Sequence, residues 1–448
     1  MGLLRRPRSA SRWLAGSLGA LLLGQLLAVG ALSRSPGRVV ADHRTGYRAQ
    51  GRVQPAPKEQ TTAGAIQRLL DRRAAAVLRH DRADFLATVD PAAHAFRDAQ
   101  ARLFAALAAV PLRSWSYQVA PAGERQLPAD RRDGYAAPTY VPDVVRLHYQ
   151  LRGFDDRPTS VPMYLTFVRR PAGWLLGSDR DLDRTGIRTA REPWDFGPVQ
   201  VVTGRRSLIL GHPGSGRLLA GLAAEVDSAV PAVTSVWGTG WRQRVVVVLP
   251  AGTAELRGLL SDDRDVSRLA AVATAWSAQT PAAEPVGQRV LLNPVNFNRL
   301  RPIGRRVVLI HEITHVAARD ATGAATPTWL TEGFADYVAY RGTGAPPRTV
   351  AAELAAEVAA GRLPSGLPGD ARFAGAGSRL PQAYEEAWLA CRLIADSAGA
   401  SGLVRFYRET AATGDRSAVL TRAFRDVLAT TPAAFTTRWR GYLRAQLS

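Results

Sequence analysis

Two histidines four residues apart, with a glutamate after the first, are the residues of this chain best suited to metal chemistry. His311, Glu312 and His315 form an H-E-x-x-H pattern directly after the apolar residues 307–310. Residues four apart lie on one face of an α-helix, so both imidazoles can bind one metal ion. Neutral imidazoles are good zinc ligands, and a neighbouring carboxylate can take a proton from a metal-bound water. The pattern therefore predicts a hydrolytic zinc site.

A third metal ligand is predicted at Glu332, because catalytic zinc usually takes three protein ligands and leaves the fourth position to water. Thr326 and Pro327 are typical of a helix start, a capping hydroxyl followed by proline at the first helical position. Glu332 then lies in the second turn, and a first helix that stops near Gly323 can bring the two helices together. Asp336 lies four residues further on the same face, placed to accept a hydrogen bond from a ligand imidazole.

The H-E-x-x-H pattern and the later W-L-x-E-G-x-A-x-Y pattern of residues 329–337 together resemble the gluzincin zinc metallopeptidases. The resemblance covers about residues 199 to 448 and implies a small mixed sheet, the H-E-x-x-H helix and a mostly helical C-terminal lobe. It assigns roles residue by residue: one Zn²⁺ ion held by His311, His315 and Glu332, a general base at Glu312 and an orienting carboxylate at Asp336.

A donor to the oxyanion of the reaction intermediate is predicted at Tyr384. Residues 381–394 have an amphipathic helical pattern similar to the A-Y-x-x-A helix of bacterial peptidase-MA-like domains. Gluzincins often carry a Tyr or His that donates to the oxyanion. The alternative is a core tyrosine whose hydroxyl is satisfied elsewhere.

A substrate-binding strand is predicted just before the histidine helix. Residues 289–293 contain three consecutive apolar residues and are typical of a strand. In gluzincins the corresponding sheet edge binds the substrate backbone by strand addition. The hypothesis assigns this role to Val290, Leu291, Leu292 and Asn293.

Together these residues predict a peptidase that hydrolyses peptide bonds with metal-activated water, with a peptide or protein as its substrate. Endopeptidase activity is favoured over aminopeptidase activity, because the chain has no G-x-M-E-N segment of the kind that anchors a free substrate amine. One alternative is a non-catalytic surface binding or assembly protein with a structural or vestigial zinc site. Another is a zymogen-like arrangement in which an N-terminal domain covers the cleft.

The pattern along the chain predicts an α+β protein of several parts. Residues 61–110 show helical spacing of apolar side chains, whereas residues 113–185 contain alternating segments typical of strands. This part loosely resembles NTF2-like domains, most clearly at residues 70–78 and 85–90. The predicted divisions are a signal peptide or signal-anchor helix at 1–32, a linker at 33–60, the α+β domain at 61–190 and the metallopeptidase domain at 195–448.

The N-terminus predicts export. Four arginines precede an uncharged apolar run at residues 13–32, long enough to cross a bilayer as a helix. Small residues at 29–31 also suit signal-peptidase cleavage, so a cleaved signal peptide and a retained membrane anchor are both open. Either alternative places the rest of the chain outside the cytoplasm, secreted or attached to the cell membrane.

The chain is strongly basic, with 58 Lys and Arg against 38 Asp and Glu and a net charge of +20, and Lys58 is its only lysine. A coding bias toward arginine is the favoured interpretation; attachment to an acidic cell-surface polymer or anionic lipid is the alternative. Nucleic acid is excluded as a partner, because the arginines are dispersed and no recognition motif is present. Cys391 is the only cysteine, so no intramolecular disulfide can form.

Overall fold

The computed structural model describes residues 61–120, 123–260, 265–276, 286–373 and 379–448. These described residues divide into two compact units: 61–199 together with 276, 286 and 287 belong to the N-terminal unit, and those from 200–275 and 288–448 belong to the C-terminal unit. The assignment of residues 276, 286 and 287 to the N-terminal unit has no counterpart in the predicted divisions. The predicted signal or anchor segment and the linker lie outside the described residues.

The N-terminal unit combines helices with two three-stranded sheets, ordered β1-β3-β4 and β2-β5-β6. Its helices are α1 (Thr62–Leu78), α2 (Arg82–Ala87), α3 (His94–Ala106) and α4 (Ala129–Asp133). Its strands are β1 (Leu112–Val119), β2 (Thr139–Tyr140), β3 (Val145–Leu151), β4 (Thr159–Met163), β5 (Thr166–Arg170) and β6 (Gly173–Ser178).

Helix α1 begins where the Thr61 hydroxyl accepts a hydrogen bond from the Gly64 N–H at 3.0 Å. Its buried side chains recur at helical spacing and pack against β1. Helices followed by antiparallel strands are the α+β arrangement that the sequence predicts for this part. The resemblance of the unit to NTF2-like domains stays a prediction.

The C-terminal unit contains a five-stranded sheet ordered β10-β11-β9-β8-β7. Strands β8 and β9 pair in parallel, as do β9 and β11, whereas β7 and β8 are antiparallel. The strands are β7 (Gln200–Thr203), β8 (Ser207–Gly211), β9 (Val245–Val248), β10 (Ala271–Trp276) and β11 (Val286–Leu292). Every residue of β8 and β9 is buried, which explains their short, continuous apolar runs.

Helices make up most of the rest of this unit. In chain order they are α5 (Gly216–Trp237), α6 (Thr253–Leu260), α7 (Pro294–Phe297), α8 (Pro302–Ala318), α9 (Thr328–Tyr340), α10 (Pro347–Val350), α11 (Ala352–Ala359), α12 (Leu380–Glu409), α13 (Arg416–Leu428) and α14 (Pro432–Leu447). Helix α8 packs against α5 and α9, and α9 packs against α12. The H-E-x-x-H helix is therefore a core helix with neighbours on several sides.

Three aromatic rings join α5, α9 and α12. Trp237, Phe334 and Tyr407 contribute one ring each, with centroids 5.4, 5.1 and 5.4 Å apart. Such tilted and edge-on contacts are the favoured aromatic geometries. They fix α9, which carries Glu332, against two other helices of the core.

Helices α9 and α12 approach most tightly at Gly333. A Cβ atom on this residue would lie 2.2 Å from the carbonyl oxygen of Ala387 and 3.0 Å from the sulfur of Cys391. No side chain fits there without moving backbone. Glycine at this position thus allows the close contact that holds the neighbouring Glu332 in place.

One described helix, α5, is long and apolar enough to cross a membrane. It packs on β8 and α8, and its buried residues belong to the core of the C-terminal unit. A buried core helix of a soluble protein passes the same test, so α5 is weak evidence for a membrane span.

Glu385 of α12 gives a stability prediction, because it caps α11 as a buried carboxyl group. It accepts hydrogen bonds from the Leu354 and Glu353 N–H groups at 2.7 and 3.3 Å. Burial, together with a hydrogen bond to the Glu353 carboxyl, raises the pKa of Glu385 from 4.5 to about 9. The folded state therefore favours the protonated form, and its stabilising effect is lost as the pH rises from about 4.5 through 9.

Replacement of Glu385 by Gln removes this titration while keeping one acceptor oxygen. We expect the melting temperature of Glu385→Gln to fall less than that of the wild type between pH 5 and 9, measured by circular dichroism. Glu409→Gln, at the other end of the same helix, is the control and should follow the wild type. Parallel wild-type and Glu385→Gln curves would contradict the assignment.

Candidate metal centre

Helices α8 and α9 bring His311, His315 and Glu332 together in a buried cluster. The Nε2 atoms of the two histidines are 3.0 Å apart, and they lie 3.4 and 3.5 Å from Oε2 of Glu332. In a tetrahedral zinc site with ligand bonds of about 2.0–2.1 Å, neighbouring ligand atoms lie about 3.3 Å apart. The three atoms are therefore already spaced as ligands of one ion.

The carboxylates of this cluster provide a test of whether a cation fits. Both oxygens of Glu332 and both oxygens of Glu312 are buried, and none has a hydrogen-bond partner among the described residues. A buried, unpaired carboxylate is costly unless a cation or a donor compensates it. Two imidazole nitrogens and one carboxylate oxygen form a donor set suited to Zn²⁺. These residues fit the ion that the sequence predicts.

Asp336 orients one of the two imidazole rings of the cluster by a hydrogen bond. Its Oδ1 atom lies 2.8 Å from Nδ1 of His311, which leaves Nε2 of that ring facing His315 and Glu332. Burial acts to lower the pKa of His311, but the charge of Asp336 and its hydrogen bond outweigh burial and raise the pKa well above its ordinary value. A metal ion must therefore displace a proton when it binds here.

Two glutamates in this site experience opposite electrostatic effects. Burial acts to raise the pKa of Glu332, but the charge of His315 and the contacts with both imidazoles lower it to about 2. For Glu312 burial prevails and raises the pKa to about 8, although the charge of His311 and the Ala273 N–H act against the rise. Glu332 is thus poised as an anionic ligand, and Glu312 as a group that can hold or release a proton.

The start of α9 differs from the prediction at Thr326. The N-cap residue is Pro327, and the Thr328 N–H is instead capped by Oδ1 of Asp370 at 3.0 Å. The Thr326 hydroxyl donates to the carbonyl of Thr410, at the end of α12, and accepts from the Gly323 N–H. The prediction of a local cap was wrong because a carboxylate far along the chain takes that place.

The predicted substrate strand is also wrong in position. Strand β11, which holds Val290, Leu291 and Leu292, lies between β10 and β9, so its backbone is paired on both sides. Asn293 follows it and caps α7, accepting from the Val295 N–H and donating to the carbonyl of Val266. Among the described residues, β10 is the outermost strand beside the site, and it is the strand free to accept a peptide. Whether a strand is central or outer depends on its neighbours in the sheet, so the sequence of β11 alone did not reveal its position.

Two tyrosines of α12 bear on the oxyanion prediction. Tyr384 is buried, and its ring meets Phe373 edge-on at 5.3 Å; its role as a donor stays a prediction. Tyr407, which the sequence did not single out, has its hydroxyl 2.8 Å from Thr322 Oγ1. Burial raises the pKa of Tyr407, and the charge of Glu332 adds to that rise. Tyr407 therefore lies within the electrostatic reach of the metal cluster.

Comparison with known proteins was made at the levels of sequence and structure. No protein-family model matches this chain, and no curated protein matches it. Among solved structures it is similar to a two-domain M1 zinc metallopeptidase mutant bound to L-arginine, with 12% identity and a TM-score of 0.33, over 75% of this chain and 62% of that one. A similar match is an M1 zinc metallopeptidase mutant from Deinococcus radiodurans, with 12% identity and a TM-score of 0.32, over 75% and 61%. The chain thus spans less than two thirds of these proteins, and a likeness at this level does not assign it an activity.

The proposed ligand set predicts how zinc content responds to substitution. Glu332→Gln removes the anionic ligand, so we expect little zinc to remain after dialysis against a weak chelator. Asp336→Asn keeps all three ligands but loses the carboxylate that orients His311, so zinc affinity should fall about 10- to 100-fold. Asp320→Asn, an exposed carboxyl group just past α8, is the matched control. Zinc can be measured by inductively coupled plasma mass spectrometry, and full zinc retention by folded Glu332→Gln would refute the assignment.

Proposed function

We propose that this chain is a zinc-dependent peptidase that hydrolyses internal peptide bonds of a peptide or protein substrate. The observation that carries the proposal is the buried convergence of His311, His315 and Glu332 on one point, with Glu312 beside them. An endopeptidase is proposed rather than an aminopeptidase because the chain carries no G-x-M-E-N segment. The apolar run at residues 13–32 after four arginines supports action outside the cytoplasm, secreted or membrane-anchored.

A bound zinc ion supplies a Lewis acid that lowers the pKa of water and polarises a carbonyl group. Glu312 is the residue placed to take the proton from that water and to return it to the leaving amine. A carboxyl group whose pKa lies near neutrality can do both, and burial gives Glu312 a pKa of about 8. Its two oxygens have no hydrogen-bond partner of normal geometry among the described residues, although the Ala273 N–H is near enough to act on their charge.

The other residues of the site fix the positions of the proposed metal ligands and of the substrate. Asp336 fixes the orientation of the His311 ring, and the tight contact at Gly333 fixes the helix that carries Glu332. Strand β10 offers backbone groups next to α8, where an extended peptide can pair. Tyr384 is proposed as the donor to the oxyanion, with an expected contribution of about 10²–10³-fold in kcat if it acts.

Replacement of the proposed base tests the proposal directly. Glu312→Gln removes proton transfer but keeps the size of the side chain and leaves the three ligands intact. We expect hydrolysis of fluorescein-labelled unfolded casein by a fragment from residue 61 to fall at least about 10²-fold, with one zinc ion still bound per chain. A chelator should abolish wild-type activity and added zinc should restore it.

The control is Glu409→Gln, a carboxyl group of the same unit that pairs with Arg405 on the surface. Equal activity of wild type and Glu312→Gln at full zinc occupancy would exclude this mechanism. A zinc-loaded wild type with no hydrolysis of casein or of a peptide library would favour the non-catalytic alternative.

A further inference from the structure

Arg319 is a buried cation on the same face of the metal helix as the proposed catalytic residues. It follows the last residue of α8, four positions after His315 and seven after Glu312. Residues at these spacings share a helix face. Arg319 is only 7% exposed, and its buried Nε has no hydrogen-bond partner among the described residues. Its position and burial distinguish it from the many dispersed surface arginines of the chain.

The environment of Arg319 consists largely of groups in the proposed site. Burial lowers its pKa, whereas Tyr407, Glu312, Asp320 and Glu332 act in the opposite direction. A buried guanidinium costs several kcal/mol unless charges and hydrogen bonds compensate it. Two of the compensating charges belong to the metal centre, so Arg319 is part of the same electrostatic group.

The described hydrogen bond of the Arg319 side chain goes to strand β10. Its Nη2 atom donates to the carbonyl oxygen of Ala273 at 3.2 Å. The Ala270 carbonyl accepts from the Asn293 N–H on the β11 side. Backbone groups alternate in direction along a strand, so we infer that the Ala273 carbonyl, three residues on, faces away from β11. Arg319 therefore binds the side of β10 on which no other described strand lies, the side on which a substrate strand would pair.

The same strand residue also faces the proposed base. The N–H group of Ala273 lies near enough to Glu312 to act on its charge, while its carbonyl is held by Arg319. N–H and C=O groups of one strand residue point to the same side. Ala273 thus lies between Glu312 of α8 and Arg319 at the end of that helix, and its hydrogen bond with Arg319 ties β10 to the metal helix at this residue.

We propose that Arg319 is a substrate-positioning residue: it ties the open edge of β10 to the metal helix and so fixes where an extended peptide pairs beside the metal centre. The inference rests on the proposed peptidase function. Because Arg319 occupies the Ala273 carbonyl, pairing of the peptide is directed to the next outward-facing residue, Ala275. In this role Arg319 does not contact the metal ligands or the reacting atoms of the substrate.

The test compares Arg319→Met with the matched control Arg408→Met. Arg408 also donates from Nη2 to a backbone carbonyl of the C-terminal unit, that of Trp237 at 3.1 Å, but it lies on α12 and its described hydrogen bond does not involve β10. The substrate is a fluorogenic peptide derived from a casein cleavage site. We expect Arg319→Met to raise KM about tenfold, because the loss of a charged hydrogen bond costs about a factor of ten in binding. We expect kcat to stay within about threefold of the wild type. Zinc content should equal that of the wild type, and Arg408→Met should match the wild type throughout.

Two measurements do not depend on catalysis. Amide hydrogen exchange of residues 271–275, followed by mass spectrometry in the zinc-loaded protein, should be at least about fivefold faster in Arg319→Met than in Arg408→Met. In a Glu312→Gln background, the same peptide should bind about tenfold more weakly when Arg319→Met is added, as measured by titration calorimetry.

Arg319→Lys decides the question if the Met variant does not fold. Lysine keeps the charge near Glu312 and Glu332 but lacks the reach and fork of the guanidinium, so KM and exchange should shift in the same direction. A folded, zinc-loaded Arg319 variant whose KM and β10 exchange stay within twofold of Arg408→Met would overturn the proposal. Absence of peptide hydrolysis by the wild type would instead remove the proposed function, and hydrogen exchange would still report whether Arg319 holds β10.

Discussion

The burial of several carboxylates among few compensating charges is the constraint on which the C-terminal unit depends. Glu312, Glu332 and Asp336 are all at most 5% exposed, and only Asp336 has a hydrogen-bonded imidazole of normal geometry. An apolar core of this size tolerates such a cluster only when cations meet it. Without a metal ion, the protonated His311 ring and the Arg319 guanidinium provide positive charge from one helix face. A divalent ion would take the place of the His311 proton.

The surrounding fold serves mainly to keep these groups close. Helix α8 places three of them by its own periodicity, which needs no tertiary contact beyond burial of its apolar face. Glu332 and Asp336 depend on a second helix, and that helix is held by the ring contacts of Phe334 and by the absence of a side chain at Gly333. Packing density, rather than a local motif, thus sets the distance between the ligands.

The features of the site that could be predicted from the sequence are those set by residues close together in the chain. The pairing of His311 with His315 and the shared face of Glu332 and Asp336 follow from helical spacing, so the residues alone were enough. The substrate strand was misplaced because the central position of β11 is set by its neighbours in the sheet and not by its own residues. Arg319 was missed for a similar reason, since its partner Ala273 lies 46 residues away and nothing near the arginine indicates it.

The cap on α9 has a consequence for the order in which this site can form. The helix that carries Glu332 begins at Thr328, whose N–H is bound by Asp370, and Asp370 in turn pairs with Arg416. The preceding loop is fastened to Tyr407 and Thr410 at the end of α12. During synthesis the two histidines emerge roughly a hundred residues before these supports exist. The third ligand therefore has no fixed position beside the two histidines until α12 and the start of α13 have been made, which delays metal capture until then.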